Sequence, residues 1–67
     1  DGYSSVDEYS ALTGKEGIAL TQLRPSGTGE FEGERYDVVT EGQFVAAGTA
    51  IVVVHTEGRR IVVRPVK

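Results

Sequence analysis

The chain has 67 residues, ten acidic against seven basic side chains for a net charge of −3, and neither cysteine nor methionine. A chain this short makes one small domain, which buries only about 60% of its unfolded surface and leaves no room for a large enzyme cleft. Without cysteine, disulfides and thiolate metal sites cannot reinforce the core, and the acidic balance disfavours a phosphate backbone as partner.

Opening on Asp1 without a methionine, the chain reads as a piece of a longer protein. The apolar run Ile51–Val54 has the length of a strand, far short of the roughly 20 residues a membrane helix needs. Any membrane segment is therefore expected outside these residues, and no signal-peptide succession is present.

Residues 1–13 mix Ser, Asp, Glu and Tyr without an apolar period and read as a flexible N-terminal linker or tail. Ser5 and Glu8 have capping-box spacing, and Tyr3, Tyr9 and Leu12 are the residues that could fold back onto a core. From Glu16 the pattern is that of a strand, with Ile18 and Leu20 on one face and the small Gly17, Ala19 and Thr21 on the other. Small residues suit the interior of a narrow barrel, so Ala19 and Thr21 are expected inside. At Arg24-Pro25-Ser26-Gly27 the chain must turn, since Pro25 fixes its own φ and Gly27 permits a positive one.

Thr28–Glu32 and Arg35–Thr40 form the next two strands, joined by a tight hairpin at Gly33. Alternation gives them an apolar side carrying Phe31, Tyr36 and Val38, opposite Glu30, Glu32, Arg35 and Asp37. With Gly42 and Gly48 six positions apart, the stretch 41–48 is a bent connection rather than a strand, and Phe44 and Val45 are expected to plug the barrel bottom. Ala50–Thr56 and Arg60–Val66, joined at Glu57-Gly58, are rich in Val and Ile on both faces, a pattern that fits either burial on both sides or closure of a barrel.

Four features together resemble the soluble C-terminal domain of NfeD-like proteins: the Gly14–Gly27 strand and corner, the Phe31–Val39 hairpin, Phe44-Val45-x-x-Gly48-Thr49, and the closing Gly58–Pro65. The resemblance runs over roughly Leu12 to Val66. It implies an all-β fold, a small five-stranded OB-type barrel over residues 14–67 in which a turn replaces the helix that OB barrels commonly place between strands three and four. It further implies a non-catalytic interaction module. NfeD-like proteins are membrane proteins that work with stomatin- or flotillin-like partners and are described as regulating membrane protease activity. The expected setting is thus membrane-associated, anchored by segments outside this chain, with the soluble domain on the cytoplasmic side.

The chemistry-bearing residues point the same way. His55 is the single histidine, and strand alternation puts it with Val53 on one face and Glu57 two residues on. With no cysteine beside it, it makes a poor metal ligand and, lacking a nucleophile, a poor general base. Ser26 with Lys15 could be imagined as a dyad, since longer NfeD-like proteins carry a ClpP-type protease domain upstream, but Ser26 is explained by its Pro-Ser-Gly corner. Gly27-Thr28-Gly29 lacks the helix and lysine of a phosphate-binding loop. A biotinyl or lipoyl carrier needs a lysine on a hairpin tip, and none lies between Lys15 and Lys67. No catalytic, metal or cofactor residues are therefore expected.

What remains is contact. Phe31, Arg35, Tyr36, Arg59 and Arg60 are the candidate partner-binding residues, because aromatic and Arg side chains dominate interfaces more often than other types. Competing expectations are a structural role through weak self-association or spacing, and single-stranded nucleic-acid binding through strands two and three. The acids Glu30, Glu32, Glu34 and Asp37 in those strands oppose the nucleic-acid reading.

Overall fold

A computed structural model describes residues 9–66, so Tyr3 and the Ser5–Glu8 capping box lie outside the described residues. A 3₁₀ turn, Tyr9–Leu12, leads into five strands: β1 (Glu16–Ala19), β2 (Ser26–Phe31), β3 (Glu34–Val39), β4 (Ala50–Glu57) and β5 (Arg60–Pro65). They close into a barrel in the order β1-β2-β3-β5-β4, with β1 returning to β4. Every neighbouring pair is antiparallel except β3 and β5, which run parallel through Val38↔Ile61 and Val39↔Val62. Closure leaves each strand two neighbours, the arrangement by which small all-β domains avoid exposed edges.

Alternation sorts the side chains. Ala19, Phe31, Val38, Ile51, Val53, Ile61 and Val63 point inward and are buried with Leu12, Leu23 and Val45. Phe31, at 0% exposure, is the largest side chain in this core. It fits because the wall opposite is nearly bare: a Cβ at Gly17 would run into the Glu30 carbonyl oxygen and come within 2.7 Å of Phe31 Cδ2, and one at Gly29 within 3.3 Å of Phe31 Cε1. Small residues on β1 and β2 are therefore what lets one aromatic ring fill the cylinder.

The hairpin between β2 and β3 is a two-residue turn, with Phe31 opposite Glu34 and positive φ at both Glu32 (54°) and Gly33 (81°). This is the type I′ geometry that matches strand twist. The corner at Arg24–Ser26 lies where the sequence puts it, and the Arg24–Pro25 peptide is cis. Gly27, however, belongs to β2 and does not adopt a positive φ. It is required for close approach, since a Cβ there would lie 2.5 Å from the Gln22 carbonyl oxygen and 2.6 Å from Thr21 Oγ1.

Three local expectations are corrected. Thr21 is exposed, because β1 ends at Ala19 and the chain has already left the barrel wall; Thr21 Oγ1 instead accepts the Thr28 N–H at 3.0 Å. Phe44 does not plug the barrel: it is 59% exposed, while Val45 alone enters the core. The cause is a long-range bridge, Leu23↔Val45, which fixes Val45 inward and turns its neighbour out. His55 does not share a face with Val53, because the β4–β5 register shifts between them and sets His55 opposite Val62. Val54 is the extra residue of that bulge.

The connection between β3 and β4 contains no helix, as expected. It is organised by Thr40, 4% exposed, whose hydroxyl donates to the Gln43 carbonyl at 2.6 Å and accepts the Gly42 N–H at 3.2 Å. Leu12, in the stretch read as linker, does fold back into the core. Hydrogen bonds from Gly14 N–H to the Val53 carbonyl and from Val53 N–H to the Lys15 carbonyl hold it there, at 2.8 and 3.0 Å.

Because β3 and β5 are parallel, the turns preceding them lie at the same rim of the barrel. The chain reaches β1 at that rim too, where Lys15 Nζ lies 2.7 Å from Glu32 Oε2. The other rim carries the Leu20–Pro25 corner and the Thr40–Thr49 connection.

Candidate functional site

Among the described residues, two of the depressions in the surface bring side chains from several elements together. One, of about 270 Å³, is lined by Arg35, Tyr36, Asp37, Arg59 and Ile61. It opens where the upstream half of β3 parts from the β4–β5 turn, since the parallel pairing starts only at Val38↔Ile61. The other, of about 380 Å³, is a wider trough on the outer face of β4 and β5, lined by Gln43, Val52, Val54, Arg64, Pro65 and Val66.

The first recess brings together three of the five residues singled out from sequence. Arg35 and Tyr36 are consecutive in β3, and the parallel register brings Arg59 of the β4–β5 turn beside them. Tyr36 is half-buried, its ring centroid 6.2 Å from that of Phe31 and tilted by 54°. Phe31 itself is enclosed in the core and supports Tyr36 from beneath rather than facing solvent. Arg60 stands opposite Glu57 in the β4–β5 hairpin and does not line the recess.

Two lining residues escaped the sequence reading, Asp37 and Ile61. Asp37 reads as one more surface acid and Ile61 as core; only the parallel β3–β5 pairing gives either a place here. The recess carries two guanidiniums against one carboxylate. Among the described residues the one ion pair is Lys15–Glu32, so Arg35 and Arg59 are not committed to an internal carboxylate. The recess presents more polar than apolar surface, with Ile61 buried beneath it.

At the opposite rim the Arg24 guanidinium lies 5.5 Å from the centre of the exposed Phe44 ring. Ile18, Leu20 and Val66 are also exposed. No group of three or more His, Cys, Asp or Glu side chains able to hold a metal occurs among the described residues, and none of their helices is long and apolar enough to cross a membrane.

A closed five-stranded barrel with strand order β1-β2-β3-β5-β4 and a parallel β3–β5 seam is an OB-type barrel. The chain belongs to the family of NfeD-like C-terminal, partner-binding domains, whose model matches residues 9–65. Membrane protein NfeD1b of Bacillus subtilis strain 168 is 48% identical over 65 residues, 97% of this chain. This chain spans only 15% of that protein's length.

Solved structures agree on the fold. The C-terminal domain of stomatin operon partner protein 1510-C from Pyrococcus horikoshii superposes with a TM-score of 0.80 at 21% identity, over 85% of this chain and 91% of that one. The soluble domain of the NfeD protein YuaF from Bacillus subtilis gives 0.75 at 26% identity, over 94% and 83%. The soluble domain of a Corynebacterium glutamicum membrane protein implicated in regulation of membrane protease activity gives 0.74 at 21%, over 82% and 92%.

Proposed function

We propose that this chain is the partner-binding domain of a membrane-anchored protein and that it engages a stomatin- or flotillin-type protein through the recess formed by Arg35, Tyr36 and Arg59. The observation that carries this reading is their convergence: Arg59, remote in sequence, meets Arg35 and Tyr36 in one recess, with no carboxylate among the described residues paired to either guanidinium. The family description as partner-binding and the P. horikoshii relative's designation as a stomatin operon partner supply the class of partner. In this reading the domain acts by contact alone, without catalysis, in membrane organisation or in regulating a membrane protease, on the cytoplasmic side. Phe31 keeps Tyr36 in place, and Arg60 contributes from the flank.

The test is recovery of a co-expressed stomatin-type protein on the immobilised domain. Replacing Arg35 and Arg59 together by Ala should cut recovery at least tenfold, whereas Arg24→Ala at the other rim should leave it unchanged. Equal recovery by all three defeats the proposal.

Self-association is a second reading, favoured by exposed apolar side chains on the β1–β4 outer surface. Ile18 pairs with Ala50, and Val66 N–H bonds the Ala50 carbonyl at 3.0 Å, which sets Ile18 and Val66 around one small residue. Sedimentation from micromolar to millimolar concentration distinguishes it, a constant monomer mass removing it.

A further inference from the structure

The parallel seam leaves part of a strand edge open, and the hydrogen-bond phase says which groups. Antiparallel strands alternate residues whose main-chain groups face the partner with residues whose groups face away. Thr40 donates its N–H to the Pro25 carbonyl at 2.8 Å, so Thr40, and by alternation Val38 and Tyr36, face β2. The Thr28 carbonyl, opposite Asp37, is turned the other way and accepts the Leu20 N–H at 2.8 Å, which fixes the same phase from the β2 side. Arg35, Asp37 and Val39 therefore direct their main-chain groups toward β5.

Yet β5 meets β3 only at Val38↔Ile61 and Val39↔Val62. In a parallel pair the bridge at Val38 uses the carbonyl of Asp37 and the N–H of Val39. The Arg35 N–H, the Arg35 carbonyl and the Asp37 N–H are left pointing into the gap, which is the recess itself. Arg35 and Arg59 bring two guanidiniums to it against the single carboxylate of Asp37.

We infer that the recess is a strand-addition site: a short extended stretch of a partner protein, bearing carboxylate side chains, pairs with the Arg35–Asp37 edge of β3 while Arg35 and Arg59 hold its acids. Main-chain pairing supplies affinity in such additions, and side chains at alternate positions supply selectivity. Charge complementarity selects the occupant, since a basic segment would meet two uncompensated arginines and an acidic one would satisfy them. This rests on the partner-binding reading and specifies its mode.

The test uses amide hydrogen exchange and chemical shifts of the ¹⁵N-labelled chain, with the capped peptide acetyl-Val-Glu-Val-Glu-Val-amide as probe. In the free protein the Arg35 and Asp37 amides should exchange at least tenfold faster than those of Tyr36 and Val38, which are bonded to β2. At millimolar peptide both should slow at least tenfold, an analogue N-methylated at alternate residues should protect neither, and acetyl-Val-Lys-Val-Lys-Val-amide should bind at least tenfold more weakly. Arg35 and Asp37 amides already as protected as their neighbours, or unmoved by the acidic peptide, overturn the inference. If the protein partner is still recovered in an Arg35- and Arg59-dependent way when the amides stay unmoved, strand addition fails while the partner-binding reading stands. Loss of both removes the reading itself.

Discussion

Gly17 and Phe31 face each other across the β1–β2 ladder so closely that the glycine is the floor on which the ring rests. A methyl group at Gly17 would overlap backbone, the Glu30 carbonyl, as well as the ring. Backbone in a closed sheet yields less easily than a side-chain end. Gly17→Ala should therefore cost about 2–3 kcal/mol, near the upper end for overpacking. At Gly29 the nearest atoms are side-chain tips, Ile51 Cδ1 at 3.1 Å and Phe31 Cε1 at 3.3 Å, and Gly29→Ala should cost less than about 1 kcal/mol. Urea denaturation of the two variants reads the order, and a Gly29 variant less stable than the Gly17 variant contradicts it.

The hairpin tip carries a correctable cost. Glu32 sits at φ 54°, a region where side chains other than Asn, Asp and Gly are disfavoured by about 1 kcal/mol. Its ion pair with Lys15 is largely exposed and offsets at most a few tenths of a kcal/mol. Glu32→Asn should consequently raise the melting temperature by a few degrees, and Lys15→Ala should barely change it. A lower melting temperature for Glu32→Asn would mean that the ion pair outweighs the turn geometry.

Thr40 holds the β3–β4 connection through one hydroxyl that both donates and accepts. Thr40→Val keeps the shape and removes both bonds, leaving the Gln43 carbonyl and the Gly42 N–H without that partner, at a cost of about 1–2 kcal/mol. Thr40→Ser keeps the hydroxyl and should lose less. A larger loss for Thr40→Ser than for Thr40→Val would assign the role of Thr40 to its methyl group.

Phe44 and Val45 make a paired comparison. The exposed ring under Arg24 contributes about 0.5–1 kcal/mol at most, whereas Val45 is buried beside Leu23. Val45→Ala should destabilise by about 1–3 kcal/mol and exceed Phe44→Ala despite deleting far fewer atoms. The reverse order in chemical denaturation would return Phe44 to the core.

Much of this fold is written in local pattern. Alternation around Phe31, Tyr36 and Val38, the Glu32-Gly33 turn and the Val-rich closing strands each follow from neighbours within a few residues. The features that differ from sequence expectation depend on distant partners. Val45 turns inward because Leu23 bridges it, Gly27 must be glycine because Gln22 and Thr21 crowd it, and Val54 bulges because β5 pairs on either side of it. The recess follows the same rule. Arg35, Tyr36 and Arg59 were recognisable by residue type, but the arrival of Arg59 and Ile61 beside the consecutive Arg35, Tyr36 and Asp37 is a property of the parallel β3–β5 register.

Leu12 gives the barrel a fixed bearing. Its side chain is pinned in the core and Gly14 and Lys15 are tied to Val53, so the polypeptide approaches along one path instead of swivelling about a loose joint. The polypeptide therefore joins the cylinder at a set angle on its β1–β4 side, at the rim that also carries the β2–β3 and β4–β5 turns.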